Sequence, residues 1–366
     1  MAPAVSITYG EMMIARRKPR SALFMRALAA GFLPAALLLA LGAACGGDDI
    51  GNGAAGSSSA PTTASSQRFS AVVVTEDLTT GPNRFAVGVV DESNGHPLLN
   101  GSVSLRFSKL VSSNQGLPKF EDATKFIGFE TFFNDPATGN KVTTGDTGVY
   151  VSNVEFDEVG DWAVEIAGSA NGETIGPITL PVKVLPRDQV LNIGDPAPRT
   201  RQKIASDVAD ISEIDSMRPP DPFHAMTIAD AVSSGRPTVL FFGTPAFCKT
   251  RTCAPVMETV MFPLYEMYGS RANFIHIEPY LLEELRKGTT CAVPAFNAEF
   301  ARQGLGEGSG QCPKASEQEL QAVGESWNLT SEPVVFVIDR EGKIAGKFEG
   351  VIAPQEVGEV LSQLVG

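Results

Sequence analysis

Between residues 68 and 186 apolar and polar positions alternate in short runs. Ser102 to Phe107 is the clearest, with Val103, Leu105 and Phe107 on one face. Phe69 to Thr75, Arg84 to Asp91, Thr147 to Phe156, Trp162 to Ile166 and Ile178 to Val184 are further runs, and turn clusters such as Asp91-Glu92-Ser93-Asn94-Gly95 separate them. A period of two bounded by turn residues predicts half-buried strands, and a succession of them predicts an antiparallel sandwich. From residue 187 the pattern changes. Pro237 to Phe242 is an unbroken run with almost no polar residue, and Val334 to Asp339 is a second strand, apolar up to its final Asp339, which suits strands buried on both faces. Ala254 to Tyr268 and Gln355 to Leu364 carry helical spacing. Pro263 should kink the first of these helices, and Pro354 stands at a favourable first position of the second.

Smaller elements complete the reading. Thr227 to Ser233 predicts a short helix ended by Gly235-Arg236-Pro237, and Ala272 to Glu278 predicts a strand. Lys343 to Phe348 predicts a strand paired with the Val334 run through the turn Arg340-Glu341-Gly342. The stretch from about 280 to 322 interrupts this order. Leu281 to Lys287 starts as a helix and Gly304 to Gly310 reads as loose. The expected fold class is multi-domain, an all-β sandwich over 68–186 followed by an α/β domain over 187–366 with that insertion.

The first 67 residues belong to neither domain. Arg16 to Arg20 is a basic cluster, and Ala27 to Ala44 is a continuous apolar run. That order predicts a secretory signal. A single membrane-spanning helix is the competing reading, but Gly31 and Pro34 interrupt the run and no basic stop-transfer cluster follows. Residues 46–67 are mostly Gly, Ala, Ser and Thr and predict a flexible tether.

Composition adds limits. The chain has 366 residues, 43% of them hydrophobic, enough for real cores, and a formal charge of −13. Residues 1–45 are net basic, so the acidic excess lies in the remainder. Such a surface repels phosphate backbones, and no nucleic-acid partner is expected. The cysteines fall into three groups: Cys45 alone, Cys248 with Cys253, and Cys291 with Cys312.

Leu41-Gly42-Ala43-Ala44-Cys45-Gly46 resembles the lipobox of bacterial lipoproteins, with the Leu one position further from the cysteine than usual. The resemblance implies cleavage before Cys45, a diacylglycerol on its sulfur, and a protein held outside the bacterial cell membrane. Phe156-Asp157-Glu158-Val159-Gly160-Asp161-Trp162-Ala163-Val164 resembles the late hairpin of immunoglobulin-like bacterial domains, and it assigns no binding site.

Three marks in residues 187–366 resemble the thioredoxin-like family. Cys248 and Cys253 stand at a strand-to-helix turn. Glu332-Pro333 immediately precedes the Val334 strand, where that family has a cis-proline facing its cysteines. The strand pair Val334-Val335-Phe336-Val337-Ile338-Asp339 and Lys343-Ile344 then follows. Ile193-Gly194-Asp195-Pro196-Ala197-Pro198 resembles the entry to extracytoplasmic domains of this kind. The resemblance implies thiol–disulfide exchange with protein thiols or disulfides and a redox partner, with no cofactor. Cys248 would attack, Cys253 would resolve, and Pro333 with the Glu332 backbone would position the substrate chain.

The chemistry is sound for that place. A thiol near a helix N-terminus faces unpaired N–H groups, which favours the nucleophilic thiolate. Cys248 is expected nearer the surface, with Lys249 and Arg251 adding positive charge. The spacing departs from thioredoxin, with four residues between the cysteines instead of two. Cα atoms five apart on a regular helix are about 8–9 Å apart, whereas a disulfide needs roughly 4.4–6.8 Å. Cys248 must therefore lie off the helix if the two bond. The family's acid on the preceding strand is missing, and Glu278 is the substitute candidate.

Alternatives stay open. The pair could be an inert staple in a binding or scaffold lipoprotein that keeps the fold. Sco-like metal handling is another reading, but those proteins separate their cysteines by three residues and use a later His, and no His follows His276 here. No metal is expected. Peroxidase chemistry lacks a Pro-x-x-x-Thr-x-x-Cys before either cysteine. Cys291 and Cys312 are expected to form a structural disulfide in an exported protein.

Overall fold

The computed structural model describes residues 68–366, apart from Ser113, Asn114, Asn171 and Ser309. The signal, Cys45 and the tether lie outside the described residues. Among the described residues no helix is long and apolar enough to cross a membrane.

The first part holds ten strands: β1 (Phe69–Val73), β2 (Leu78–Thr79), β3 (Gly81–Asp91), β4 (His96–Pro97), β5 (Ser102–Ser112), β6 (Gln115–Ala123), β7 (Lys125–Asn134), β8 (Lys141–Phe156), β9 (Gly160–Ala170) and β10 (Glu173–Leu185). They form two five-stranded sheets, one in the order β1-β3-β8-β7 with β4 against β3, the other β2-β10-β9-β5-β6. Alternating residues of both sheets meet between them, where Phe85, Leu105, Phe107, Tyr150, Phe156, Trp162 and Ile166 are buried together. The Phe156 and Trp162 rings meet edge to face with centroids 5.0 Å apart. β6 carries mostly polar residues and is an edge strand with little to bury, while the apolar residues of β7, Phe126, Ile127, Phe129, Phe132 and Phe133, do not alternate, so neither shows a period of two.

The second part holds α1 (Ile228–Ser233), β11 (Thr238–Phe242), α2 (Cys253–Val256), α3 (Phe262–Tyr268), β12 (Asn273–Ile277), α4 (Leu282–Arg286), β13 (Thr289–Cys291), α5 (Ala298–Gln303), β14 (Gly306–Gly308), α6 (Glu317–Val323), β15 (Val334–Ile338), β16 (Ile344–Glu349) and α7 (Pro354–Val365). Its main sheet has the order β12-β11-β15-β16. β12 is parallel to β11, while β15 and β16 are antiparallel to their neighbours. This is a thioredoxin-like arrangement: strand, helix and parallel strand, then a hairpin and a closing helix. Both faces of the sheet are covered. Val239, Phe241, Val335 and Val337 pack under α2, α3 and α7, while Leu240, Phe242, Phe336 and Ile338 pack against α1, Phe296 and Trp327.

Two local outcomes differ from the sequence reading. The helix after the cysteines is not a continuous α-helix kinked at Pro263. Its middle, Met257–Met261, is a π turn. Pro263 has no N–H to give and its ring crowds the carbonyl four residues earlier; widening the preceding turn accommodates both while the chain stays helical. The stretch read as loose contains β14, which pairs with β13.

The two parts share buried contacts. Arg84 of β3 is buried and reaches across to α7, with its Nε 2.8 Å from Glu356 Oε1. It also donates to the carbonyls of Glu349 and Val351 at 3.1 and 2.7 Å. Beside it Ala86, Ile127, Val149 and Val151 of the sandwich bury Val351.

Candidate functional site

β11 ends at Phe242 and the chain turns sharply before α2. The Cys248 N–H donates to the Thr244 carbonyl at 2.8 Å, closing one turn that presents Cys248 before the helix begins. Cys253 heads α2. Between them Arg251 adopts a left-handed φ of 60°. That reversal curls the four-residue loop back, and the Cys248 and Cys253 Cα atoms stand 5.9 Å apart, joined by a disulfide. Cys248 is thus off the helix, as the distance argument required. The Thr250 hydroxyl lies 3.2 Å from Cys248 Sγ.

Cys248 is not near the surface: it is 1% exposed and Cys253 is 0% exposed. The cause is the sandwich, whose strand β7 lies over the loop. The Phe132 N–H donates to the Arg251 carbonyl at 3.2 Å and the Asn134 N–H donates to the Pro245 carbonyl at 3.4 Å. The Arg251 guanidinium sits 4.2 Å from the centre of the Phe133 ring. Lys249 is also engaged, in an ion pair with Glu307 of the insertion. The local positive charge expected around Cys248 is therefore already partnered.

The Glu332–Pro333 peptide bond is cis. Val334 pairs with Phe242 across β15 and β11. Continuing that register by two places sets Glu332 beside Thr244, at the base of the cysteine turn. A carboxylate oxygen of Glu332 lies within 4.8 Å of both Cys248 Sγ and Cys253 Sγ. Glu332 Oε2 and Thr244 Oγ1 are buried without a hydrogen-bond partner. Burial pushes the Glu332 carboxyl up to about 8, and the charge of Glu278 adds to the rise.

Glu278, the acid expected to serve the cysteines, has a buried Oε2 without a partner, but it is not in the group of Cys248, Cys253 and Glu332 whose polar atoms lie within 4.8 Å of one another. Its Oε1 accepts the Ser216 N–H at 2.8 Å, and burial pushes its carboxyl up to about 7. The acid beside the disulfide is Glu332, for which the sequence suggests a backbone role only. The signal was available in the position before the cis-proline, but its meaning depends on strand register.

A buried polar network braces the turn from below. His276 on β12 has both ring nitrogens bonded, Nδ1 to Asp221 Oδ2 at 2.7 Å and Nε2 to the Gly243 carbonyl at 2.8 Å. Burial alone would lower the His276 pKa, but the charge and hydrogen bond of Asp221 outweigh it and lift it to about 10. The imidazolium so favoured can donate from both nitrogens. Ser216 Oγ accepts the Ala246 N–H at 3.2 Å, tying the same network to the loop. Asp215, Asp221, His224 and His276 bring one polar atom each within 4.8 Å of the others. Asp221 bonds directly to His276, and His224 Nε2 lies 3.3 and 3.5 Å from Asp221 and Asp215, so each imidazole faces a carboxylate. Beside the loop, Phe247, Met217, Pro136, Arg218 and Arg286 line a surface cavity of about 240 Å³.

Cys291 and Cys312 form a second disulfide, with Cα atoms 5.4 Å apart, inside the insertion.

No protein-family model and no curated protein matches this chain. A solved thiol:disulfide interchange protein of the thioredoxin family from Chlorobium tepidum TLS is similar to it at 18% identity, over 47% of this chain and 97% of that one, with a TM-score of 0.26. The thioredoxin-like arrangement described above rests on strand order and direction.

Proposed function

We propose that the chain is a thiol–disulfide oxidoreductase acting on protein thiols or disulfides outside the bacterial cell membrane. In this reading it is tethered there through a lipid on Cys45, with an immunoglobulin-like sandwich before its redox part. One observation carries the activity: the Cys248–Cys253 disulfide sits at the strand-to-helix turn whose base is formed by cis-Pro333. A substrate thiolate attacks Cys248 Sγ, Cys253 leaves, and the mixed disulfide is resolved by a second substrate thiol or by return of Cys253. The cavity at Phe247 gives a substrate chain a place to lie next to the turn.

A Cys253→Ala variant produced in a bacterial host tests this. It should accumulate mixed disulfides through Cys248 that dissolve on reduction, and Cys248→Ala should accumulate none. Equal recovery from both variants would sink the reading. Cys45→Ala should release the protein from membranes; retention would replace the lipid by an uncleaved apolar segment as the anchor.

The burial of both sulfurs under β7 favours a second reading, a binding lipoprotein that keeps the fold without turnover. It predicts that no partner is trapped by either variant.

A further inference from the structure

We propose that the Glu332 side chain holds the exchanging proton of the Cys248–Cys253 couple, giving it to Cys253 when the disulfide opens and taking it back when the disulfide closes. The proposal deepens the oxidoreductase reading and rests on it.

The chemistry creates the need. When a substrate thiolate forms a bond to Cys248 Sγ, the Cys248–Cys253 bond breaks and its electron pair stays on Cys253 Sγ. That sulfur belongs to a residue with 0% exposure, packed among Val256, Met257 and Ile352. An unpaired anion in such a place is costly, so a proton must arrive with the bond cleavage. Cys248 has the Thr250 hydroxyl at 3.2 Å to stabilise charge. Among the described residues no hydrogen bond reaches Cys253 Sγ.

The structure offers one acid for the task among the described residues. β11 carries no carboxylate between Thr238 and Phe242. Glu278 lies outside the group that Glu332 forms with the two sulfurs. Glu332 is within 4.8 Å of both sulfurs, close enough to act directly after a small shift or through one water. The Thr244 hydroxyl and backbone N–H beside it favour the carboxylate that remains once the proton is given. A carboxyl pushed up to about 8 is protonated at neutral pH and can donate. The groups that face it are Glu278 just after β12, which raises it, His276 on β12, which lowers it, and Tyr280 further beyond that strand. The step balances: substrate thiolate, disulfide and Glu332 carboxylic acid give the mixed disulfide, the Cys253 thiol and the Glu332 carboxylate. Closure runs the same atoms backwards.

The test uses the full chain and the rate at which dithiothreitol opens the Cys248–Cys253 disulfide, followed by alkylation of the freed thiols from pH 5 to 10. The expected result is an inflection near pH 8 in the wild-type rate per thiolate that Glu332→Gln removes. Below the inflection the variant opens about a hundredfold more slowly, the low end of general acid catalysis. In the reduced protein, thiolate absorbance should appear at lower pH in Glu332→Gln, because the neighbouring carboxylate is gone; the other cysteines cancel in the difference. Glu332→Asp keeps an acid on a shorter arm and should restore an inflection at a shifted pH, separating proton transfer from a packing defect. Superimposable pH–rate and thiolate curves for wild type and Glu332→Gln would overturn the proposal. Loss of the oxidoreductase reading looks different: normal Glu332-dependent opening by dithiothreitol, with no protein trapped by Cys253→Ala.

Discussion

Phe133 of the sandwich stacks on Arg251 of the cysteine loop, with the guanidinium 4.2 Å from the ring centre. A residue far away in sequence thus covers the four-residue link between the two sulfurs. Phe133→Ala should loosen that cover. A cation–π contact is worth about 1 kcal/mol, or about fivefold in an opening equilibrium. The variant is expected to react with a small dithiol about fivefold faster, read by the rate of thiol alkylation, with an unchanged circular dichroism spectrum. An unchanged rate would mean that β7 does not limit access.

Arg84 joins the sandwich to α7 through Glu356 and two carbonyls. Removing one partner of a buried pair leaves the other unpaired, at a cost of about 3 kcal/mol or more. Arg84→Ala should lower the urea midpoint accordingly. Fluorescence reports from Trp162 in the sandwich and Trp327 in the α/β part; in the wild type both should unfold in one transition. Separate transitions in the variant would show that Arg84 couples the parts.

Stability should fall as pH rises. Glu278 and Glu332 have folded pKa values raised to about 7 and 8 from 4.5, and His276 is raised to about 10 from 6.5. At each group the folded protein binds its proton more tightly than the unfolded chain, so the contribution declines through those windows. Asp221 acts the other way: burial would raise it, but the His276 charge and the hydrogen bonds from His224 and His276 hold it below the usual carboxylate range. Its contribution is lost below the ordinary aspartate pKa of about 3.9. The melting temperature should therefore peak near pH 4.5, about where the unfolded glutamates titrate, and fall towards pH 10. Glu278→Gln should flatten the profile between pH 4.5 and 7 and leave the descent above it; an identical slope would remove Glu278 from this account.

The second disulfide closes a span of 21 residues. In the chain-entropy picture that constraint is worth about 3 kcal/mol. Replacing Cys291 and Cys312 together by Ser should destabilise the protein by that order in denaturant titration. The Cys248–Cys253 reduction rate should change less than twofold if the pair only holds the insertion.

Much of this architecture was legible in the chain. The five residues Val334–Ile338 are all buried, and their unbroken apolar run says as much without coordinates. The π turn and β6 were not legible. The first depends on how a proline is accommodated inside a packed helix, and the second is an edge strand whose residues carry almost no burial signal. The cysteine turn was visible as a spacing, but its cover was not, because β7 reaches it from more than a hundred residues upstream in sequence. The Glu332 carboxyl was hidden for a similar reason. Its neighbours Thr244 and Cys248 are set by the pairing of Phe242 with Val334, and no local pattern encodes a register between strands so distant along the chain.

The contact of Val351 with Ala86, Ile127, Val149 and Val151 also bears on how such a chain can be inherited. A crossover between genes near residue 187 would join a sandwich with an exposed apolar patch to an α/β part lacking its cover. Each half would then carry a surface shaped for a neighbour it no longer has. The two halves are free to diverge in their outer strands and loops, but at this seam a change in one is tolerated only with a matching change in the other. Selection on the cysteine turn therefore reaches into the first half of the chain.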